Sequence, residues 1–213
     1  MRALFDLLIV SDGKPALLER VERALSGVQG DRVALLVREP QCRARELLAL
    51  SSALRVLTHA RGVRLLISDR LDIALAVQAD GVQLPEAGFP PAVARRLLGA
   101  DALIGVSRHS RAGLHEAAAE GANYATLSPL HAVEGKAPAL EHEGFAAALL
   151  GPAPRGAPAA PPLPVYALGG VRVADVQGVL ASGARGVAVM REVLSAADPA
   201  ARTRGLLAAL GER

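Results

Sequence analysis

The stretch Val165-Tyr166-Ala167-Leu168-Gly169-Gly170 and the nearby stretch Gly186-Val187-Ala188-Val189-Met190 are short apolar runs typical of buried strands. Gly169 and Gly170 let the backbone approach a ligand without an intervening side chain. In a barrel of alternating strands and helices, the loops after the seventh and eighth strands often hold a phosphate, because backbone N–H groups face the anion. The two stretches therefore predict a cup for a phosphorylated small molecule, although a Gly-Gly pair can also form a plain turn.

Six similar units precede these two stretches along the chain. The predicted strands cover residues 4–11, 33–37, 63–68, 81–84, 103–107 and 124–127, and each is followed by a segment with apolar residues at helical spacing. Strands that are apolar throughout indicate a parallel sheet covered by helices. Eight such units predict an α/β fold, a single TIM barrel over residues 1–213. An open, doubly wound sheet is the alternative, but no G-x-G-x-x-G follows the first strand.

Residues 151–164 interrupt this regular pattern with a run of Gly, Pro and Ala, a composition that does not build a regular element. Because the run joins a helix to the seventh strand, we expect a surface loop on the face of the barrel away from the ligand. A linker between domains is the alternative.

Composition argues against several classes of protein. Mean hydropathy is positive, at +0.29, but every apolar run ends well short of the ~18 residues that a membrane-spanning helix needs, so we expect a soluble, cytoplasmic protein. The single Cys42 excludes an intrachain disulfide and a metal site with several cysteines. Nucleic-acid binding is not expected, because the net charge is only +3 and aromatic residues make up 2% of the chain.

The active site of such a barrel lies at the carboxyl ends of its strands, which makes the polar residues there the candidates. They are Arg38, Ser68, Asp69, Gln83, Ser107, His109, Ser128, His131 and Lys136. His109 suits proton transfer because an imidazole titrates near neutral pH, but it could equally be an exposed loop residue beside a helix cap. We expect His59, His115 and His142 to be solvated surface residues, whereas His131 remains a candidate.

The charged candidates have two interpretations each. Arg38 could hold a carboxylate or phosphate through two hydrogen bonds, or it could pair with Glu39. Lys136 could close over an anion or be a solvated loop residue. Asp69 could bind a divalent cation or cap a helix, and tightly held magnesium usually needs a second carboxylate or a phosphate nearby.

Taken together and in order, several motifs resemble the thiamine phosphate synthase superfamily over nearly the whole chain. They include Val37-Arg38-Glu39, Ser68-Asp69-Arg70-Leu71-Asp72, Ala79-Asp80-Gly81-Val82-Gln83-Leu84, Ile104-Gly105-Val106-Ser107-Arg108-His109-Ser110, Ala167-Leu168-Gly169-Gly170 and Gly183-Ala184-Arg185-Gly186-Val187-Ala188-Val189-Met190. The resemblance implies a (β/α)8 TIM barrel of the thiamine phosphate synthase type. Within the superfamily, the chain is more similar to the thiazole tautomerase (TenI-like) branch.

That branch assignment depends on departures from the synthase pattern. Arg38, Asp69 and Lys136 match residues that hold pyrimidine pyrophosphate and magnesium in synthases. The positions that depart are Leu36, Pro40, Ser68, Gly88, Val133 and Gly135. Gly88 stands where the second metal-binding aspartate belongs. A site without that carboxylate should hold magnesium pyrophosphate poorly, so no metal and no cofactor are expected.

The resemblance thus implies an isomerase of thiamine biosynthesis that aromatises a thiazole carboxylate phosphate tautomer by proton transfer. His109 would be the catalytic acid and base, and the substrate-binding residues would be Arg38, Ser107 and Lys136. The phosphate would lie against Gly169, Gly170, Met190 and Arg191, where Arg191 replaces the serine usual in the family. A homodimer is also implied. The alternatives are a magnesium-dependent thiamine phosphate synthase and a non-catalytic paralogue that binds thiazole or thiamine phosphate.

Overall fold

The computed structural model describes residues 4–135, 138–151 and 163–211. Within these residues, eight parallel strands form one closed barrel in sequential order. The strands are β1 (Leu7–Val10), β2 (Val33–Val37), β3 (Arg64–Ser68), β4 (Gly81–Leu84), β5 (Leu103–Arg108), β6 (Tyr124–Leu127), β7 (Val165–Leu168) and β8 (Gly186–Val189). β1 pairs with both β2 and β8, which closes the sheet.

Helices follow the strands and cover the outside of the barrel. They are α1 (Leu17–Ala24), α2 (Ala44–His59), α3 (Leu71–Ala76), α4 (Pro91–Leu98), α5 (Arg111–Ala119), α6 (Glu141–Leu150), α7 (Val176–Ala181), α8 (Arg191–Leu194) and α9 (Pro199–Leu210). A short 3-10 turn, Val173–Asp175, precedes α7. No helix in the described ranges is both long and apolar enough to cross a membrane.

Two layers of apolar side chains hold the barrel together. One lies between the strands and the helices, and the other fills the barrel interior. At the amino-terminal end of the interior, the rings of Phe5, Tyr124 and Tyr166 pack with centroids 4.8 to 5.5 Å apart. A Cβ at Gly105 would lie 2.1 Å from Tyr124 Cζ, so a side chain there would displace this cluster. The packed interior leaves the carboxyl ends of the strands as the place for a ligand.

The closed barrel confirms the predicted fold class and excludes the open sheet. β2, β4 and β6 have the bounds expected from the sequence, whereas α8 was not predicted. The Pro-rich run at residues 151–164 falls almost wholly outside the described residues, since the structure describes only 151, 163 and 164 of it. Its placement as a surface loop, and the assignment of residues 1–213 to a single domain, stay predictions.

Candidate functional site

Five of the candidate residues follow strands at the same end of the barrel. Arg38 follows β2, Asp69 follows β3, His109 follows β5, Gly169 follows β7 and Met190 follows β8. Parallel strands bring their carboxyl ends to one rim, so residues far apart in sequence meet there. The rim is the site that the repeating pattern predicts.

A polar network lies in the barrel interior just below this rim. Gln83 Nε2 donates hydrogen bonds to Ser107 Oγ at 3.1 Å and to Thr126 Oγ1 at 3.2 Å. Gln83 and Thr126 are buried, whereas Ser107 is half-buried and closer to solvent. Gln83 Oε1 is buried and accepts no hydrogen bond from any described residue. The network therefore forms a polar floor with one unused acceptor.

His109 lies directly above the end of β6. Its Nδ1 is 2.6 Å from the carbonyl oxygen of Ser128. Because a carbonyl oxygen only accepts, Nδ1 carries a proton in this contact. The ring is thus held in one orientation, and Nε2 is the nitrogen left to face a ligand.

Arg38 and Asp69 are both exposed on the opposite part of the rim. The backbone N–H of Arg38 donates to Ser11 Oγ at 2.7 Å, which fixes the chain where it leaves β2. Asp69 has φ of +62°, in the left-handed region, and its N–H donates to the carbonyl of Gln83 at 3.0 Å. Within the described part of the chain, neither side chain has an ion-pair partner closer than 4 Å. Among the described residues, nothing neutralises these two charges, so both are available to a ligand.

The glycine turn after β7 packs closely against the loop after β6. Gly169 and Gly170 have φ of +99° and +69°, respectively, which favours glycine at both positions. His131 N donates to Gly169 O at 3.0 Å, and a Cβ at Gly170 would lie 2.9 Å from His131 Cβ. The turn therefore has no room for a side chain on this face.

The loop after β8 runs directly into the four-residue helix α8. Met190 is half-buried where this helix begins, and Arg191 is its exposed first residue. No ion pair involving Arg191 occurs among the described residues. A short helix after the eighth strand and a glycine turn after the seventh are the parts from which TIM barrels commonly build phosphate sites.

Four titratable side chains cluster beside the glycine turn. His131 contacts Glu141 and Asp175, and His142 also contacts Asp175. Partial burial lowers the pKa of His131, but its hydrogen bonds to Glu141 and Asp175 outweigh burial and raise that pKa above its ordinary value. Burial has the opposite effect on a carboxyl group and raises the pKa of Asp175. Hydrogen bonds from the backbone N–H of Arg172 and from the two imidazoles outweigh burial and lower that pKa overall. The sequence pointed to His131 alone in this cluster.

The remaining candidate, Lys136, lies outside the described residues. Ser107, His109, Arg38, Gly169, Gly170, Met190 and Arg191 all lie at or near the rim, as the sequence predicts. Their roles toward a ligand stay predictions. Asp175 was missed, because nothing in the local sequence distinguishes it from an ordinary helix cap.

Asp69 offers a carboxylate for a magnesium ion on this part of the rim. Gly88 offers no second one, and a Cβ there would lie 2.8 Å from Pro85 Cδ. Magnesium in enzymes is commonly held by one or two carboxylates together with substrate phosphates. The residues present therefore fit a magnesium ion whose other ligands come from the substrate.

Comparisons with known proteins agree on one family. The family model described as thiamine monophosphate synthase matches residues 7–193. The chain is 44% identical to a Geobacter sulfurreducens protein named "Putative thiamine-phosphate synthase", over 98% of this chain and 96% of the relative. It is 39% identical to the thiamine-phosphate synthase of Moorella thermoacetica, over 91% of this chain and 88% of the relative. The solved thiamine phosphate pyrophosphorylase from Pyrococcus furiosus superposes with a TM-score of 0.80 at 29% identity, covering 97% and 95% of the two chains.

These relatives overturn the isomerase expected from the sequence. The two curated relatives are named as synthases, which are transferases, the solved structure is named as a pyrophosphorylase, and none of the three is named as a tautomerase. The prediction of a thiazole tautomerase is therefore wrong, and the synthase alternative is favoured. A few substituted positions pointed to the tautomerase branch, whereas the similarity to synthases extends along almost the whole chain.

Proposed function

Because the chain belongs to the thiamine-phosphate synthase family, we propose that it is a transferase of thiamine biosynthesis. It would join a pyrimidine pyrophosphate to a thiazole phosphate and release pyrophosphate. The observation that carries this proposal is the similarity to a named synthase along almost the full length of both chains.

The condensation depends on positive charge at the site more than on a catalytic base. A carbon–oxygen bond to pyrophosphate breaks and a carbon–nitrogen bond to the thiazole ring forms, so the nitrogen lone pair attacks without losing a proton. The developing negative charge on the leaving group needs cations and hydrogen-bond donors. Arg38 and Lys136 would supply the charge. His109 would act as a hydrogen-bond donor from Nε2 when protonated, not as the base predicted from the sequence.

The thiazole phosphate would occupy the other side of the rim. Gly169 and Gly170 expose backbone there, and Met190 and Arg191 lie at the start of α8. Arg191 would add a charged contact to the phosphate. Ser107 would contact the part of the substrate that reaches the polar floor.

We propose that magnesium is the cofactor, held by Asp69 and the substrate pyrophosphate. When bound, the metal would neutralise part of the pyrophosphate charge. Asp69 would orient it, and Arg38 would fix the pyrophosphate from the neighbouring strand. The substituted positions, Gly88 among them, are then changes within a synthase site and not marks of another reaction.

The test is condensation of pyrimidine pyrophosphate with thiazole phosphate by the purified protein, followed as product and as released pyrophosphate. We expect turnover that requires magnesium and is lost with a chelator. Asp69→Asn should abolish it. Asp72→Asn is the matched control, because Asp72 is an exposed aspartate three residues away that pairs with Arg70.

The outcome also separates the alternatives. Binding of thiazole phosphate without turnover would eliminate the transferase and favour a non-catalytic binding protein. Absence of both binding and turnover would eliminate both. The cytoplasmic location expected from the composition, and the homodimer implied by the family resemblance, remain proposals. Light scattering after size-exclusion chromatography tests the homodimer.

A further inference from the structure

The cluster beside the glycine turn is built from three separate segments. His131 comes from the loop after β6, His142 from the first turn of α6, and Asp175 from the 3-10 turn after β7. Both imidazoles direct Nε2 at one oxygen, since Asp175 Oδ1 is 3.1 Å from His131 Nε2 and 3.3 Å from His142 Nε2. The centroids of the two imidazole rings are 5.5 Å apart, and the rings meet edge to face at an interplanar angle of 68°. Three ligand atoms are thus brought together at one point, all within 4.8 Å of one another.

Two of these separations match the edges of a metal coordination tetrahedron. Zinc binds imidazole nitrogen and carboxylate oxygen at about 2.0 to 2.2 Å, which places neighbouring ligand atoms about 3.4 Å apart. The two nitrogen–oxygen distances, 3.1 and 3.3 Å, lie close to that value. All three ligand atoms lie within 4.8 Å of one another, so a bound ion would require the side chains to close around it.

Two of the three proposed ligands also form hydrogen bonds through the atom that would not bind the metal, as metal ligands usually do. His131 Nδ1 is 3.0 Å from Glu141 Oε2, an arrangement that leaves Nε2 as the coordinating atom. Asp175 Oδ2 accepts the backbone N–H of Arg172 at 2.8 Å, which leaves Oδ1 for the metal. Glu141 adopts φ of +49°, an uncommon conformation for a residue with a side chain.

We propose that His131, His142 and Asp175 form a site for a divalent transition metal ion of the zinc class. Imidazole and carboxylate ligands suit zinc, cobalt and nickel, whereas magnesium prefers oxygen alone, so this site is separate from the one at Asp69. The His131 and His142 side chains are 29% and 42% exposed, which gives an ion access from solvent, while Asp175 is 15% exposed. Water would complete the coordination.

The expected consequence is structural. A bound ion would join the loop after β6 to the turn after β7, the same two segments that already meet at Gly170 and His131. It would stabilise the arrangement of backbone at the phosphate cup. Without an ion, the same residues form an ion-pair cluster.

A cobalt titration of chelator-treated protein without a polyhistidine tag distinguishes a metal site from an ion-pair cluster. We expect saturation at one equivalent, with the ligand-field absorption of tetrahedral cobalt, displacement by zinc, and no displacement by a large excess of magnesium. Zinc should also raise the urea midpoint of unfolding. Failure of cobalt to saturate, or octahedral absorption alone, would overturn the proposal.

Substitutions show which side chains bind the metal. His131→Gln and His142→Gln should each lose the tetrahedral signal. His59→Gln, an exposed histidine at the end of α2, should keep it. Glu141→Gln should weaken cobalt binding by about 10- to 100-fold, because it removes an outer partner and no ligand. Unchanged binding in either ligand variant would contradict the assignment.

X-ray absorption of the zinc-loaded wild type gives a result that does not depend on how the variants fold. We expect a first shell of nitrogen and oxygen with scattering from two imidazoles. Sulfur in that shell would place the ion at Cys42, the single thiol of the chain, and would overturn the proposal.

Discussion

Gly170, in the predicted phosphate cup, has no room for even a single methyl group. Its φ of +69° is unfavourable for alanine, and a Cβ would lie 2.9 Å from His131 Cβ. Gly170→Ala should therefore lower the free energy of unfolding by about 2 kcal/mol or more and weaken thiazole phosphate binding. Urea unfolding and calorimetric titration with thiazole phosphate measure the two effects.

Gly121→Ala is the matched control for this substitution. Gly121 has φ of +84°, but a Cβ there would meet nothing within 4 Å. It should lower stability by about 1 to 2 kcal/mol through the backbone alone and leave binding unchanged. Equal effects of the two variants on binding would show that the close contact at Gly170 is unimportant.

Asp12, just after β1, is expected to make stability depend on acid pH. Its carboxylate receives two hydrogen bonds from Arg20, at 2.7 and 2.8 Å, and its side chain is 2% exposed. Burial raises the pKa of Asp12, but the hydrogen bonds from Arg20 and the Lys14 N–H lower it overall. Asp12→Asn should therefore lower the free energy of unfolding by about 2 kcal/mol near pH 7.

The sign of the pH dependence follows from the lowered pKa. The carboxylate stabilises the fold fully above its unfolded pKa, about 3.9, and this stabilisation is lost as pH falls through the lower folded pKa. Urea unfolding of wild type and Asp12→Asn should give curves that differ at neutral pH and converge in acid. A difference that stays constant down to about pH 3 would contradict the assignment.

At the scale of elements, two helix caps provide a comparison. Ser110 Oγ accepts the N–H of Gly113 at 3.2 Å at the start of α5, and Asp198 accepts the N–H of Ala201 at 2.9 Å at the start of α9. Ser110→Ala and Asp198→Ala should each lower the free energy of unfolding by about 1 kcal/mol. Only Ser110→Ala should also slow condensation, because Ser110 adjoins His109. Equal kinetics in both variants would argue against a role for His109.

The elements also show how far a sequence pattern can predict structure. β2, β4 and β6 were located to the residue, because apolar runs bounded by turn residues have clear ends. α8 was missed because four residues are too few to show a helical period. Its existence depends on how the chain leaves β8 over the barrel mouth, which is a tertiary effect.

At the scale of the whole molecule, the aromatic cluster in the barrel interior offers a matched pair of tyrosines. Tyr166 OH donates to the carbonyl of Phe5 at 2.6 Å, whereas Tyr124 OH is buried without a hydrogen-bond partner among the described residues. Tyr166→Phe should lower the free energy of unfolding by about 1 to 3 kcal/mol, because it leaves a buried carbonyl unpaired.

Tyr124→Phe should be neutral or slightly stabilising, since it removes a buried hydroxyl that makes no hydrogen bond. Both variants keep the ring packing, so urea unfolding compares the hydroxyl groups alone. Equal destabilisation by the two variants would mean that Tyr124 OH has a partner, such as a buried water.

The sequence by itself determined the barrel, and it predicted the end at which a site lies and most of the candidate residues there. A repeated strand-and-helix period allows few arrangements, and parallel strands place their carboxyl ends together. The sequence did not determine the reaction, because one aspartate with substrate phosphates can hold magnesium where two are usual.

Only the tertiary structure brought His131, His142 and Asp175 to one point. They lie on three segments whose separations along the chain form no recognisable spacing. Barrel closure fixes the distances between neighbouring loops, and those distances, not local sequence, decide which side chains can share a ligand.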